Sequence, residues 1–368
     1  MLWWPKPPRP DPLVPTPGST IADLLPAVAA RLGLTDAPDL DLPEGERWVV
    51  LLIDGLGRTL LDQHRDIAPF LGGTRDHAAL TACVPSTTAT SLTSLGTGRW
   101  PGRHGIVGYT FCLDDAVFHP LAWKPDLPVT RVQPITPLLE RHGGAQVNLA
   151  DFHGSGLTAA SLGRGTYVPV QEDDPAGRID AIVRATERHG LVYTYERRLD
   201  MVGHVRGTRS AEWGETLSMI DTWVEQLRDA LPDEVRLIVT ADHGMVDVPG
   251  RNLIFLSDEP DLAHGVTHIA GEPRFTHVHT AEPDAVRARW QEWLADHAWV
   301  RTRDDAITDG WFGPDPDRAM LAERVGDVVV AMRTDWAILE RPGSGLARLV
   351  GHHGSLTDEE MRIPFLVH

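Results

Sequence analysis

Seven residues of this chain have types and settings suited to a single two-metal site: Asp54, Thr88, Asp200, His204, Asp242, His243 and His353. Carboxylate oxygen and imidazole nitrogen together suit zinc, with manganese or iron as alternatives. Asp54 ends the apolar run 49–53 and is followed by Gly55. Asp242, His243 and Gly244 end a second run at 235–241. Short apolar runs of this kind predict buried parallel strands. Open α/β sheets gather their chemistry at the carboxyl ends of such strands. Asp200 and His204 follow a third run at 191–196 and stand four residues apart. One helical turn then sets both on the same face, within reach of a single cation. Thr88 lies in Pro85-Ser86-Thr87-Thr88-Ala89-Thr90-Ser91-Leu92, a hydroxyl-rich loop feeding a helical pattern. Free N–H groups at a helix start favour an anion, either a phosphate or an alkoxide. Capping alone would account for Ser86, Thr87 and Thr88. Beside two metals, a hydroxyl at this point is a nucleophile candidate.

The elements that must position these groups alternate along the chain. Strands are expected at 48–53, 145–149, 190–195 and 235–241. A first helix is expected over 19–34, with Ser19 or Thr20 as N-cap and apolar residues at Ile21, Leu24, Leu25, Val28 and Leu32. A second covers 210–231, where Trp213, Leu217, Ile220, Val224, Leu227 and Leu231 recur at spacings of three and four. Such alternation predicts an α/β sandwich with a mostly parallel central sheet. Residues 1–18 are rich in proline and read as an extended arm, with Trp3 and Trp4 packing onto their own domain. Between 250 and 345 the pattern changes to a strand at 274–280, a helix at 283–297 and a strand at 327–332. That block reads as an inserted α+β cap subdomain, leaving 19–249 and 346–368 as the catalytic α/β domain.

Bulk properties exclude some classes. The chain has 368 residues, with 34 Lys and Arg against 52 Asp and Glu, for a formal charge of -18. That balance argues against binding nucleic-acid polymers or anionic lipid surfaces. A small anionic substrate still fits, because metal ions can reverse the local field. Cys83 and Cys112 are the only cysteines, too few for a disulfide framework. The first residues carry no apolar signal region or cleavage site, and no stretch approaches the ~20 apolar residues that span a bilayer. A cytoplasmic protein without a transmembrane segment is the expectation.

Six stretches run in a recognisable order: Leu52-Ile53-Asp54-Gly55, Pro85-Ser86-Thr87-Thr88, residues 97–106 from Thr97 to Ile106, Asp200-Met201-Val202-Gly203-His204, Thr240-Ala241-Asp242-His243-Gly244-Met245 and His353-Gly354-Ser355. Over about residues 47–367, apart from the cap, the chain resembles the alkaline phosphatase superfamily. Within it, the resemblance is to the type I phosphodiesterase/nucleotide pyrophosphatase family. This implies an alkaline-phosphatase-like fold and two zinc sites. Asp200, His204 and His353 would hold one metal; Asp54, Asp242, His243 and the Thr88 oxygen would hold the other. Thr88 would attack phosphorus and form a phospho-threonine that water then releases. The family's metal histidine directly precedes glycine, which favours His353 over His352. His104, inside the third stretch, reads as structural, and Ser155-Gly156-Leu157-Thr158 resembles a recurrent stretch with no assigned chemistry. Two positions depart from the pattern. Ser91 stands where an asparagine typically holds a phosphate oxygen, a shorter donor that implies a wider pocket or one closed from the cap. Leu199 replaces the proline before Asp200.

Three other readings compete. A phosphomonoesterase or phosphonate hydrolase on the same metals would need a basic clamp, for which Arg99 and Arg103 are candidates by position. A sulfatase would need arginine at the fifth position of Cys83-Val84-Pro85-Ser86-Thr87, where threonine stands. A non-catalytic metal-binding protein would show a lost ligand, yet every proposed ligand is present. The favoured expectation is a metal-dependent hydrolase of small-molecule phosphoric esters, diesters or pyrophosphates, nucleotides among them.

Overall fold

The computed structural model describes residues 11–368, so Trp3 and Trp4 lie outside the described residues. From residue 11 the chain lies on the body of the protein: the Leu13 N–H donates to the Leu356 carbonyl at 2.9 Å, and Pro15 is buried. The strands of the two main sheets, in chain order, are β1 (Arg47–Ile53), β2 (Ala145–Leu149), β3 (Thr166–Val170), β4 (Leu191–Glu196), β5 (Val235–Thr240), β6 (His268–Glu272), β7 (Phe275–His279), β8 (Ala298–Thr302), β9 (Val328–Met332) and β10 (Phe365–Val367). The central sheet runs β10-β5-β1-β4-β2-β3. All its pairs are parallel except β10 with β5. This is an α/β fold with a mostly parallel sheet. From Trp48 to Ile53, β1 is buried at every residue. Both of its faces are therefore covered, as a near-continuous apolar run requires.

Five helices matter for the site and its frame: α1 (Ile21–Arg31), α2 (Thr88–Thr97), α3 (Arg198–Arg206), α4 (Ala211–Ala230) and α5 (Pro283–Leu294). The Asp23 carboxylate accepts the Thr20 N–H at 3.0 Å and so closes the start of α1. That helix ends three residues before the expected limit, where Gly33 turns into the left-handed region. Ser210 caps α4 by accepting the Trp213 N–H at 3.1 Å. Beyond α5 a short 3-10 turn carries the chain to His297, so the regular helix is shorter than the 283–297 pattern suggests. No helix among the described residues is long and apolar enough to cross a membrane.

A second, antiparallel sheet runs β6-β7-β9-β8. Its side chains divide by the period of two that a strand imposes. Val328, Val330 and Met332 of β9 join a small core with Val278, Trp290 and Val300. Val329 and Ala331 between them join the main core, together with Phe275 and Trp299. The sheet is thus a wall shared by two cores, which fixes it against the body that carries the site.

Candidate active site

Register sets the first carboxylates. Leu52 of β1 pairs with Tyr195 of β4 and with Thr240 of β5, so the three strands end level and Asp54 and Asp242 leave the sheet at one edge. Asp54 accepts the Tyr195 hydroxyl on Oδ2, while its Oδ1 is buried without a hydrogen-bond partner. Asp242 accepts the N–H groups of Gly55 and His243 on Oδ1, each at 3.1 Å, and its Oδ2 is likewise bare. α3 brings in Asp200, whose Oδ1 is also buried and unpartnered. Gly55 has φ +73°, and a Cβ there would stand 3.1 Å from the Asp200 Cβ. Glycine after Asp54 is what lets α3 come this close. Burial, followed by the charges of Asp200 and Asp242, pushes the Asp54 carboxyl well above its usual range. Burial raises Asp200 as well. Bare buried carboxylate oxygens at this spacing call for cations.

The histidines are set by their far nitrogens. His243 Nδ1 faces the Gly244 carbonyl at 2.9 Å, His204 Nδ1 faces that of Gly351 at 2.8 Å, and His353 Nδ1 faces that of Ser86 at 2.9 Å. A carbonyl can only accept, so each Nδ1 carries the proton and each Nε2 offers a lone pair. His243 Nε2 is 3.5 Å from both Asp54 Oδ1 and Asp242 Oδ2, and His204 Nε2 is 3.4 Å from Asp200 Oδ2. The rings of His243 and His353 stack at 3.6 Å. Burial and then the neighbouring His243 and His204 hold His353 well below the usual imidazole range, hence neutral. Donor atoms of Asp54, Asp242 and His243 lie within 4.8 Å of one another, and so do those of Asp200, His243 and His353. His243 therefore belongs to both groups, and His204 joins the second through Asp200. Three bare oxygens and three Nε2 lone pairs fit a pair of divalent cations. His352 also borders the cavity but joins neither group, and its Nε2 lies 3.3 Å from the Leu349 carbonyl.

Thr88 opens α2, and its Oγ1 lies 3.2 Å from His243 Nε2. The loop before it is strapped to the chain around His353. The Ser86 N–H donates to the Gly354 carbonyl at 3.1 Å, and the Ser86 hydroxyl to that of Ser355 at 2.7 Å. One bridge thus holds the hydroxyl and the histidine in place together. The first turn of α2 also leaves N–H groups free to meet an anion.

These groups open into a cavity of about 360 Å³, lined by Asp54, Thr88, Asp200, His204 and His353 among others. A second cavity of about 320 Å³ shares Thr88 and Tyr195 with it and extends to Ser155 and Thr158. Here the 155–158 stretch has a local structural role as well: the Ser155 hydroxyl accepts the Thr158 N–H at 3.2 Å and caps the following helix. Two residues of the first cavity carry no mark in the sequence. Tyr195 is identified only by the β1–β4 register. Glu272, at the end of β6, accepts the Tyr109 N–H at 3.3 Å, and burial pushes its carboxyl up to about 8.

Other expected residues stand elsewhere. Ser91 does not face the cavity as a phosphate donor: it is fully buried and gives its hydroxyl to the Asp242 carbonyl at 2.7 Å. It braces a strand end instead, because one turn into α2 its side chain points back at β5. Arg99 and Arg103 are exposed and outside the cavity. The arginine that does line it, Arg197, is engaged by the Glu172 carboxylate at 2.9 and 3.0 Å. His104 is buried, accepts the Ile106 N–H at 3.1 Å on Nδ1 and meets the Ser94 hydroxyl at 2.9 Å through Nε2. Its contacts lie within the α2 frame.

Comparison with known proteins gives the fold and the lineage. The profile of the type I phosphodiesterase / nucleotide pyrophosphatase family matches residues 48–356. A Caenorhabditis elegans ectonucleotide pyrophosphatase/phosphodiesterase is 26% identical over 333 residues, which is 83% of this chain and 37% of that protein. The chain thus spans well under half the length of that curated relative. Murine ectonucleotide pyrophosphatase/phosphodiesterase 5, solved as an inactive form in complex with AMP, superposes with a TM-score of 0.69 at 20% identity, covering 88% of each chain. The human counterpart gives 0.67 at 19% identity, over 88% of this chain and 87% of that one. At such identities the likeness establishes the fold, while the profile, which takes in Asp54, Thr88, Asp200, His204, Asp242, His243 and His353, establishes the lineage: the chain belongs to the type I phosphodiesterase/nucleotide pyrophosphatase family.

Proposed function

We propose that this protein hydrolyses phosphoric esters, with phosphodiester or pyrophosphate bonds as its targets and nucleotides among its substrates. Thr88 acts as nucleophile beside two divalent cations, zinc first. One observation carries the reading above all: at the start of a helix, Thr88 Oγ1 stands 3.2 Å from the lone pair of His243, next to bare buried carboxylate oxygens. Asp54, Asp242 and His243, with the Thr88 oxygen, would hold one cation; Asp200, His204 and His353 would hold the other. When bound, the cations supply Lewis acidity that favours the threonine alkoxide, offsets charge on the phosphoryl group and activates water. The first turn of α2 presents N–H groups to the phosphoryl oxygens. Thr88 Oγ1 bonds to phosphorus as the ester bond to the leaving oxygen breaks, and the proton lost by Thr88 balances the one that oxygen gains. Water then attacks phosphorus, the bond to Thr88 breaks, and the hydroxyl is restored.

Two further points support this reading. The inactive form of the murine relative carries a threonine-to-alanine exchange and binds AMP, in keeping with a threonine nucleophile and a nucleotide-like substrate. Around the cavity, the lining arginine, Arg197, is already engaged by Glu172, which leaves no ready clamp for the extra charge of a monoester. The test is kcat/KM of the zinc-loaded enzyme for bis-p-nitrophenyl phosphate against p-nitrophenyl phosphate. A clear diester preference is expected. A monoester preference would move the protein to the phosphatase reading.

A further inference from the structure

Away from the catalytic groups, Cys112, His268 and His279 bring their donor atoms within 4.8 Å of one another. We propose that they form a third metal site, for zinc or a similar thiophilic divalent cation, which clips the 111–118 hairpin to the second sheet. Cys112 lies in the hairpin strand Phe111–Leu113, which pairs with Ala116–Phe118. Thr110 anchors that hairpin on β6, because the Gly271 N–H donates to the Thr110 carbonyl and the Thr110 hydroxyl to the Gly271 carbonyl, each at 2.9 Å. His268 of β6 and His279 of β7 are cross-strand partners, and their rings stack at 4.2 Å and 7°. Both turn Nε2 to the same sulfur: Cys112 Sγ lies 3.0 Å from that of His268 and 3.3 Å from that of His279.

A single thiol has one proton and can donate to only one ring, which leaves the other ring to give its Nε2–H to sulfur, a weak acceptor. A cation bound by the thiolate and two Nε2 lone pairs satisfies all three together. Zinc bond lengths set sulfur–nitrogen edges of about 3.6 Å in a tetrahedron, so the cluster needs to open by only a few tenths of an ångström. Burial, and then the charges of Asp115 and Asp327, hold the Cys112 thiol above its ordinary range, so it is the cation that would draw off the proton, and the same carboxylate charge favours a cation there. Asp327 is already taken by the Thr280 N–H at 2.9 Å and Arg303 at 3.2 Å. That leaves the fourth position to water. Binding moves the thiol proton to solvent and forms the metal–sulfur bond without any redox change.

Cobalt substitution tests this without relying on activity. The catalytic ligands contain no sulfur, so a thiolate-to-cobalt charge-transfer band in the near ultraviolet can come only from a cysteine. A Cys83→Ser background removes the one other thiol. The cobalt-loaded full chain should show the band, and Cys112→Ser should abolish it. His268 is exposed, so His268→Ala should fold normally. It should bind one zinc ion fewer than the parent by elemental analysis while its diester turnover is unchanged. No band in the parent, a band that survives Cys112→Ser, or equal zinc content in parent and His268→Ala would each overturn the site and leave a thiol–imidazole hydrogen-bond cluster. None of these outcomes bears on the catalytic reading.

Discussion

Thr88 and Tyr195, the partner of Asp54, do different work in the proposed reaction, and their variants should separate. Thr88→Ala removes the attacking oxygen but none of the carboxylate or imidazole donors. Turnover of a diester should fall by roughly a thousandfold or more, with zinc content and far-ultraviolet circular dichroism close to wild type. Retained turnover would refute the nucleophile assignment. Tyr195 acts one step further out. Its hydroxyl donates to Asp54 Oδ2 and leaves Oδ1 to a cation. Partners of this kind orient a metal ligand, and losing one typically costs 10–100-fold in metal affinity. Tyr195→Phe should show a loss of about that size in a chelator competition, with turnover recovering at saturating zinc. An unchanged affinity would mean that the hydroxyl only fills space.

At the scale of elements, α2 must hold Thr88 at one end while its body packs closely on the neighbouring helix Gly156–Ser161. Gly96 makes that approach possible, since a Cβ there would stand 1.7 Å from the Ser161 carbonyl oxygen. Gly96→Ala must push the two helices apart. It should destabilise the protein by about 1–3 kcal/mol, read from urea unfolding, and reduce turnover because Thr88 moves with the helix. Unchanged stability would show that the contact gives way more easily than backbone packing should. Legibility followed the same scale. β1, β4 and β5 were readable because strands buried on both faces are written as apolar runs, and Asp54 and Asp242 because they end those runs. By contrast, β3 contains Pro169 and sits at the sheet edge, where proline is tolerated and the apolar signal fades. β10 has only three residues, too few to show a period. Tyr195 and Glu272 reach the cavity through strand register and sheet packing, which no local pattern encodes. The pattern from Pro85 to Leu92 sets Ser91 in the first turns of a helix, but spacing does not reveal which way a hydroxyl donates.

In the whole molecule, an acidic chain has to hold a cluster of buried carboxylates steady before any cation arrives, and the second sheet contributes to this. Arg274, just before β7, is fully buried and grips the equally buried Glu360 with two bonds, Nε to Oε1 at 2.8 Å and Nη2 to Oε2 at 2.7 Å. The same carboxylate accepts the Ser355 N–H at 3.0 Å and the Thr357 hydroxyl at 2.7 Å. The Glu360 backbone carbonyl accepts the Gly244 N–H at 2.9 Å. One ion pair therefore ties the second sheet to the chain beside both His353 and His243. Arg274→Met would leave Glu360 charged, buried and without its partner, a loss of about 3–5 kcal/mol. Adding Glu360→Gln to that variant should restore part of the stability, because the uncompensated charge is then gone, although the four-way grip is not rebuilt. Urea unfolding of the two variants separates the electrostatic cost from simple loss of packing: if the double variant is no more stable than Arg274→Met, the charge was not what mattered. Zinc affinity should fall in both, since the segments carrying His243 and His353 lose a common anchor. If affinity is unchanged while stability drops, the second sheet supports the fold without positioning the site.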